Sequence, residues 1–474
     1  MRLLQGREVL QESIPMKSLR LLAACLGVVS FVAAAPAPVR PNVLLIVADD
    51  MGWADVSWHG GKFATPRMAE ILKTSVELDR HYVQPVCTPT RTALLSGRWT
   101  SRFGPHVLGP TNMRAFPEGT CTLASALKSV GYRTSISGKW HLGGKFAWGP
   151  RQYGFDQSYG FLSGAVDPWT HKYRPGILED TWNRNDVLLK EEGNATELIA
   201  ADAKRIILEK KGPWFAYVPF GAVHTPIDAP KEYFKAYEGV KFHDDAAKDD
   251  SIRRYAAFVT QLDAKVGEFY DALKASGQLE NTVIIFTSDN GGIESSGNPY
   301  VGKTKGSPAV TTNAPLRGWK NTPYEGGMRV NAFVSWPGHL PAGKNSHPMH
   351  VADWLPTLAR LTGATVPADV KFDGLDRWAV LTGADATPAP RTIYIPHYQR
   401  SAVFHGDWKL IAPHTNPQGK AELFNLAQDP FEKDECSARF PEKLKEMRER
   451  FLELRKGDLL EAPADAKFSE KPAK

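Results

Sequence analysis

Asn42-Val43-Leu44-Leu45-Ile46-Val47-Ala48-Asp49-Asp50 is an apolar, branched run that stops at two carboxylates. Such a run without polar alternation suits a strand buried on both faces, and strands of that kind belong to parallel sheets. A second run, Thr282-Val283-Ile284-Ile285-Phe286-Thr287, leads into Ser288-Asp289-Asn290-Gly291-Gly292. Residues 215–220 and 132–137 read as further strands. Helical patterns fall between, at 123–130, 200–209 and 253–276. Strands alternating with helices predict an α/β sandwich built on a large, mixed but mainly parallel sheet.

Outward from this frame the pattern changes near Asp385. Residues 391–396, 402–411 and 422–426 read as short strands in succession, followed by a charged helix over Pro441–Arg455. This predicts a main domain over 38–385 and a smaller C-terminal α+β subdomain with an antiparallel sheet over 386–474. The tail after Leu460, rich in Ala, Pro and Lys, is expected to fray, and the polar Gly/Thr/Pro stretch 302–313 to form a loop. At the other end, Lys17 and Arg20 precede an apolar run over 21–35 that closes on Ala33-Ala34-Ala35, the pattern of a secretion signal over 1–35. That run is short of the roughly 20 residues a membrane span needs. Leu22-Ala23-Ala24-Cys25 also resembles a lipoprotein box, a weaker reading because most of the apolar run follows the cysteine. A secreted or periplasmic protein is expected.

Of 474 residues, 42% are hydrophobic and 23% charged, which is ordinary for a globular chain. The net charge of +6 can draw a polyanion, but no dense Lys/Arg run is interleaved with aromatics, so nucleic acid is not the expected partner. Cys25 falls within the signal, leaving Cys87, Cys121 and Cys436. Cys121 and Cys436 either pair or stay reduced and buried; in both cases Cys87 is left for chemistry.

The two best strands end in Asp49-Asp50 and in Asp289-Asn290. In a parallel sheet, strand C-termini share one rim, where ligands bind. Three carboxylates brought together there repel one another unless a cation lies among them, and an all-oxygen donor set suits Ca²⁺ or Mg²⁺. Separately, Cys87-Thr88-Pro89-Thr90-Arg91 places a cysteine just before a helix that Pro89 opens. The helix dipole favours negative charge there, and Arg91, one turn on, shares the face of Cys87.

Cys87-Thr88-Pro89-Thr90-Arg91, with Ser96-Gly97-Arg98 downstream, resembles the Cys-x-Pro-x-Arg signature of the type I sulfatases. The resemblance extends to Gly138-Lys139-Trp140-His141-Leu142-Gly143, Val223-His224-Thr225-Pro226 and Pro315-Leu316-Arg317-Gly318-Trp319-Lys320 with Glu325-Gly326-Gly327. It implies an alkaline-phosphatase-like fold and a sulfuric ester hydrolase whose Cys87 is oxidised to formylglycine by a maturation enzyme. It implies a metal set of Asp49, Asp50, Asp289, Asn290 and modified Cys87, with Ca²⁺ the usual ion and Mg²⁺ the other choice. It also implies that Arg91, Lys139 and Lys320 hold the sulfate, that His224 protonates the leaving alcohol, and that His141 serves sulfate release. If the 138–143 segment is extended, Lys139 and His141 point the same way. Tyr153-Gly154-Phe155-Asp156, the 163–171 segment and Asp353-Trp354-Leu355-Pro356-Thr357-Leu358 resemble the branch of N-acetylgalactosamine-4-sulfatase (arylsulfatase B) and its bacterial relatives. That branch implies a sulfated glycan, or a small sulfate ester, as substrate. The chain departs from it at Pro168-Trp169, where two tyrosines are common; His171 and Lys172 are candidate substrate contacts. The alternatives are a phosphodiesterase or phosphomonoesterase of the same superfamily, which usually takes two transition metals and a Thr or Ser nucleophile, and a non-catalytic glycan-binding protein.

Overall fold

A computed structural model describes residues 40–174, 176–293 and 310–466. The expected signal over 1–35 with Cys25, most of the 302–313 stretch and the end of the C-terminal tail lie outside them.

Five parallel strands make the centre of the main sheet: β1 (Asn42–Ala48), β2 (Arg133–Lys139), β3 (Gln157–Phe161), β4 (Trp214–Pro219) and β5 (Thr282–Ser288). Their order in space is β5-β1-β4-β2-β3, with antiparallel strands continuing both edges, among them β6 (Ala332–Ser335) beside β5. β1 lies in full register with β5, from Asn42 opposite Thr282 to Ala48 opposite Ser288. This pairing brings the two acidic strand ends together.

Alternate residues of β1 feed two cores. Val43, Leu45 and Val47 pack on one face with α1 (Cys87–Ser96), α2 (Leu123–Lys128) and α5 (Trp354–Thr362). Leu44, Ile46 and Ala48 pack on the other with α3 (Ala195–Leu208) and α4 (Ala246–Ala275). Burial on both faces is what the continuous apolar run requires: at ~25 cal/mol per Å² of apolar surface, each buried Leu or Ile contributes about 1.5–3 kcal/mol. The result is a helix–sheet–helix sandwich, as expected.

A separate four-stranded antiparallel sheet follows: β7 (Thr392–Ile395), β8 (Arg400–His405), β9 (Trp408–Pro413) and β10 (Glu422–Asn425), with the helix Pro441–Arg455 against it. Residues 402–411, read as one strand, are two. Gly406 takes a φ of 59°, a left-handed turn that glycine accepts without penalty, and the chain doubles back at Gly406-Asp407. Cys436 is reduced and buried, its Sγ donating to the Leu423 carbonyl at 3.1 Å, and Cys121 is also free, so no disulfide joins them.

Candidate active site

β1 and β5 stop side by side, and the chain turns sharply at both ends. Asp50 has a φ of 63°, a left-handed conformation unusual for a residue other than glycine. That turn breaks the up-down alternation of the strand, so the Asp49 and Asp50 carboxylates both enter one cluster. The Asp289 backbone N–H donates to the Ala48 carbonyl at 3.0 Å and Asp50 N–H to Asp289 Oδ1 at 3.3 Å, locking the two ends together. Gly291 is required by close approach: a Cβ there would stand 1.8 Å from the Gly326 carbonyl oxygen.

Cys87 is the first residue of α1, one place further into the helix than the sequence reading had it, and Pro89 is the third. The ligating atoms of Asp49, Cys87 and Asp289 lie within 4.8 Å of one another, as do those of Asp49, Asp50 and His224. Asn290 Nδ2 donates to Asp50 Oδ1 at 2.7 Å. Asp49 Oδ1, Asp50 Oδ2 and Asn290 Oδ1 are buried without a hydrogen-bond partner. Orphaned acceptors in a dry cluster are costly, and three converging oxygens beside a third carboxylate, Asp289, fit a hard divalent cation.

Cations of the chain surround this set. Arg91, fully buried, donates from Nε and Nη2 to Asp289 Oδ2 at 3.1 and 2.7 Å, and from Nη1 to the Lys139 carbonyl at 3.0 Å. Lys139 Nζ donates to Asp49 Oδ2 at 2.6 Å, and Lys320 Nζ to Asp50 Oδ1 at 2.5 Å. His224 is oriented by its Nδ1, 2.5 Å from the Thr225 carbonyl, and its Nε2 stands 3.5 Å from Asp50 Oδ2. The 138–143 segment is not extended throughout. Lys139 ends β2, but His141 has a φ of 54° and its buried Nδ1 has no hydrogen-bond partner. Backbone strain of about 1–3 kcal/mol at Asp50 and again at His141 is the kind that surrounding structure sustains at working sites.

Burial and the nearby Asp289 carboxylate push Asp49 up to about 7, with Lys139 opposing. Burial acts the same way on Asp50, but Lys320 and His224 outweigh it and hold Asp50 to about 2. Burial lowers His224 to about 4 against the pull of Asp50, and burial with Lys139 and Arg91 takes His141 well below the imidazole range. A cation among these carboxylates would relieve the burial and repulsion that raise Asp49.

Residues 41–364 match the family described as Sulfatase. This chain belongs to the sulfatase family. Mouse (Mus musculus) arylsulfatase J is 30% identical over 88% of this chain and 76% of its own length. Rat (Rattus norvegicus) N-acetylgalactosamine-6-sulfatase is 31% identical over 77% of this chain and 70% of its own. The crystal structure of Ps i-CgsB superposes with a TM-score of 0.78 at 30% identity, covering 90% of this chain and 95% of that one; a second structure of that protein is in complex with k-i-k-neocarrahexaose. These relatives identify the sulfatase as a sulfuric ester hydrolase.

The structure brings Asp49, Asp50, Cys87, Arg91, Lys139, His141, His224, Asp289, Asn290 and Lys320 of this sulfatase to one place. It does not bring His171 there. The His171 ring is buried, stacked 4.3 Å from Trp182, with Nε2 3.0 Å from the Gly193 carbonyl. Lys172 Nζ pairs with Glu179 at 2.9 Å. The sequence reading missed Asn313. Its Oδ1 accepts from the N–H groups of Trp53 and Gly292 at 3.3 and 2.9 Å, and its Nδ2 donates to the carbonyls of Gly292 and Gly318, both at 3.1 Å. It pins the end of β5 to the turn carrying Lys320, whose own N–H donates to the Gly292 carbonyl at 2.9 Å. Asn313 closes the polar 302–313 stretch read as a loop, two residues before the family-like segment that begins at Pro315, and nothing in its own neighbourhood marked it.

Proposed function

We propose that this sulfatase hydrolyses the sulfate ester of a sulfated glycan, with Cys87 oxidised to formylglycine as its nucleophile. One observation carries the reading: Cys87 stands at a helix start within 4.8 Å of Asp49 and Asp289, the carboxylates of two strands distant in sequence. Asp49, Asp50, Asp289, Asn290 and the modified Cys87 would hold a divalent cation, Ca²⁺ before Mg²⁺ because several carboxylates converge without demanding a strict octahedron. When bound, the cation draws charge from a sulfate oxygen and favours the ionised form of the attacking hydroxyl.

Hydrated, the residue-87 aldehyde carries two hydroxyls. One attacks sulfur, and the bond from sulfur to the ester oxygen breaks. His224, its Nδ1 held by the Thr225 carbonyl and its ring kept neutral by burial, takes up at Nε2 a proton equivalent to the one shed by the attacking hydroxyl and delivers it to the departing alcohol. The second hydroxyl then loses its proton to His141, the bond from carbon to sulfate oxygen breaks, and the aldehyde and inorganic sulfate separate. This is covalent catalysis with release built into the nucleophile. Lys139 and Lys320 each donate to one carboxylate of the cluster and keep further ammonium hydrogens suited to the sulfate oxygens. Arg91 has all its donating nitrogens on Asp289 and Lys139, so its role is to orient the carboxylate and the start of α1 rather than to hold sulfate.

The glycan reading draws on the neighbour solved with k-i-k-neocarrahexaose and on the chain's net charge of +6. We also assign 1–35 as an export signal, 38–385 as the catalytic domain and 386–474 as the C-terminal subdomain. Among the described residues no helix is long and apolar enough to cross a membrane. A phosphonate monoester hydrolase of Agrobacterium radiobacter shares the fold alone, at 19% identity. Turnover of nitrophenyl sulfate against nitrophenyl phosphate, together with a mass spectrum of the peptide containing residue 87, tests the reading. Sulfate preference and an aldehyde mass are expected from protein made alongside a maturation enzyme; phosphate preference with an unmodified thiol sinks it.

A further inference from the structure

The loop after β3 runs between the two histidines of the cluster. At its start the His141 N–H donates to the Leu162 carbonyl at 3.1 Å, and Gly164 lies so close that a Cβ would stand 2.7 Å from His141 Nε2. Further on, Pro168 lines the same small cleft as His224, Thr225 and Pro226. The loop backbone is tied down. Asp167 Oδ1 accepts from the N–H groups of Trp169 and Thr170 at 3.0 and 2.8 Å, and the Pro168 carbonyl accepts from Ala195 at the start of α3 at 2.7 Å. His171 anchors it from beneath, packed on Trp182.

One large side chain of this loop faces outward. Trp169 is 44% exposed, yet its indole is not loose: Nε1 donates to Asp228 Oδ2 at 3.0 Å. Asp228 lies on the segment that continues from His224 through Thr225 and Pro226. A hydrogen bond in the plane of the ring fixes an indole by its edge and leaves its faces open. An amphipathic aromatic held in this way presents a rigid apolar surface at small entropic cost. The C–H faces of a pyranose ring are the matching shape.

We propose that Trp169 is a specificity residue, stacking on a sugar ring of the glycan beside His224, and that Asp228 holds the indole in its stacking pose. The proposal rests on the sulfated-glycan reading above. The test compares wild type with Trp169→Ala, Trp169→Phe and Asp228→Ala on nitrophenyl sulfate and on a panel of sulfated oligosaccharides that includes k-i-k-neocarrahexaose. For the oligosaccharide the wild type cleaves, Trp169→Ala is expected to raise KM by on the order of tenfold, the size of one good aromatic contact, while kcat hardly moves. Trp169→Phe should recover most of that loss, and Asp228→Ala should fall between. An unchanged KM in Trp169→Ala overturns the proposal. So does a loss of kcat in step with a lowered melting temperature, which would make the residue structural. A wild type that cleaves nitrophenyl sulfate but no oligosaccharide overturns the glycan reading itself, and the sugar platform with it.

Discussion

Replacing Cys87 by serine separates attack from release. Serine has one hydroxyl, so it can accept a sulfuryl group but has no second hydroxyl to expel it. Cys87→Ser is expected to stop at a sulfated residue 87, seen as one added sulfate in the intact mass, whereas Cys87→Ala should show neither adduct nor turnover. Multiple turnovers by either variant would remove residue 87 from the mechanism. Both should fold, because the side chain is small and its site is polar on one side. Arg91 differs in kind. Its guanidinium makes two bonds to one Asp289 oxygen and a third to a backbone carbonyl, all out of water. A lysine carries the charge but cannot make that fork. Arg91→Lys should therefore lower unfolding stability by about 2–4 kcal/mol, the range for a damaged buried ion pair, and reduce kcat as Asp289 drifts. Chemical denaturation and steady-state kinetics read the two effects; stability within ~0.5 kcal/mol of wild type, the range of an ordinary surface change, would refute the positioning role.

Between elements, the turn that carries Lys320 is held from the C-terminal sheet. Lys409 on β9 is fully buried, with Nζ 2.9 Å from Glu325 Oε1 and 2.6 Å from Glu432 Oε1. Glu432 Oε2 accepts from the Glu325 N–H at 2.7 Å, and the Glu432 carbonyl accepts from Arg317 Nη1 at 3.0 Å. Tyr82 donates to Glu325 Oε2 at 3.0 Å, and Arg329 stands 4.0 Å from the same carboxylate. Burial pushes Glu432 up to about 7, with Lys409 opposing and Glu325 adding to the rise. A raised carboxyl binds its proton more tightly in the folded state, so its contribution is complete below the ordinary value near 4.5 and is lost as pH climbs through 7. Glu432→Gln lacks this loss. From pH 5 to pH 8 the variant should gain on wild type by about 1–3 kcal/mol, read as a rise in its melting temperature relative to that of wild type. A gap that stays constant would show that Glu432 is ionised throughout. Nothing in the sequence announces this coupling, because its partners are 84 and 107 residues apart. What was legible followed one rule: a segment could be read when its own residues carried the signal. β1 and the start of β5 matched because continuous branched apolar runs have few other homes, and their acidic ends then met by topology alone. β3 was missed because Gln-Ser-Tyr-Gly-Phe has no apolar run and borrows its pairing from β2. The setting of His171 was not legible for a related reason, since a family-like histidine reads alike whatever its ring packs on, here Trp182.

For the molecule as a whole, the acidic cluster joins parts of the chain that local forces do not hold together. Asp49 and Asp50 close β1, Asp289 and Asn290 close β5, and Cys87 opens α1, so their meeting closes loops of roughly forty to two hundred residues, each with its own entropic cost. Without a cation, the buried oxygens on Asp49, Asp50 and Asn290 are left without partners, and Asp49 is driven toward its protonated form. A cation that binds only the folded arrangement reverses both penalties and stabilises the whole unit by mass action. Stripping the protein with a chelator should lower its melting temperature. Ca²⁺ at a hundredfold excess over its Kd should then restore about 2.7 kcal/mol, whether or not residue 87 has been oxidised. Mg²⁺ should restore less, because it demands a tighter octahedron and gives up its waters reluctantly. Asp49→Asn with Asp289→Asn removes two of the three carboxylates, and its melting should not respond to Ca²⁺. Calorimetry of the Cys87→Ala protein isolates this effect from catalysis, and a melting curve indifferent to chelator in that variant would mean that the oxygens converge for some purpose other than holding an ion.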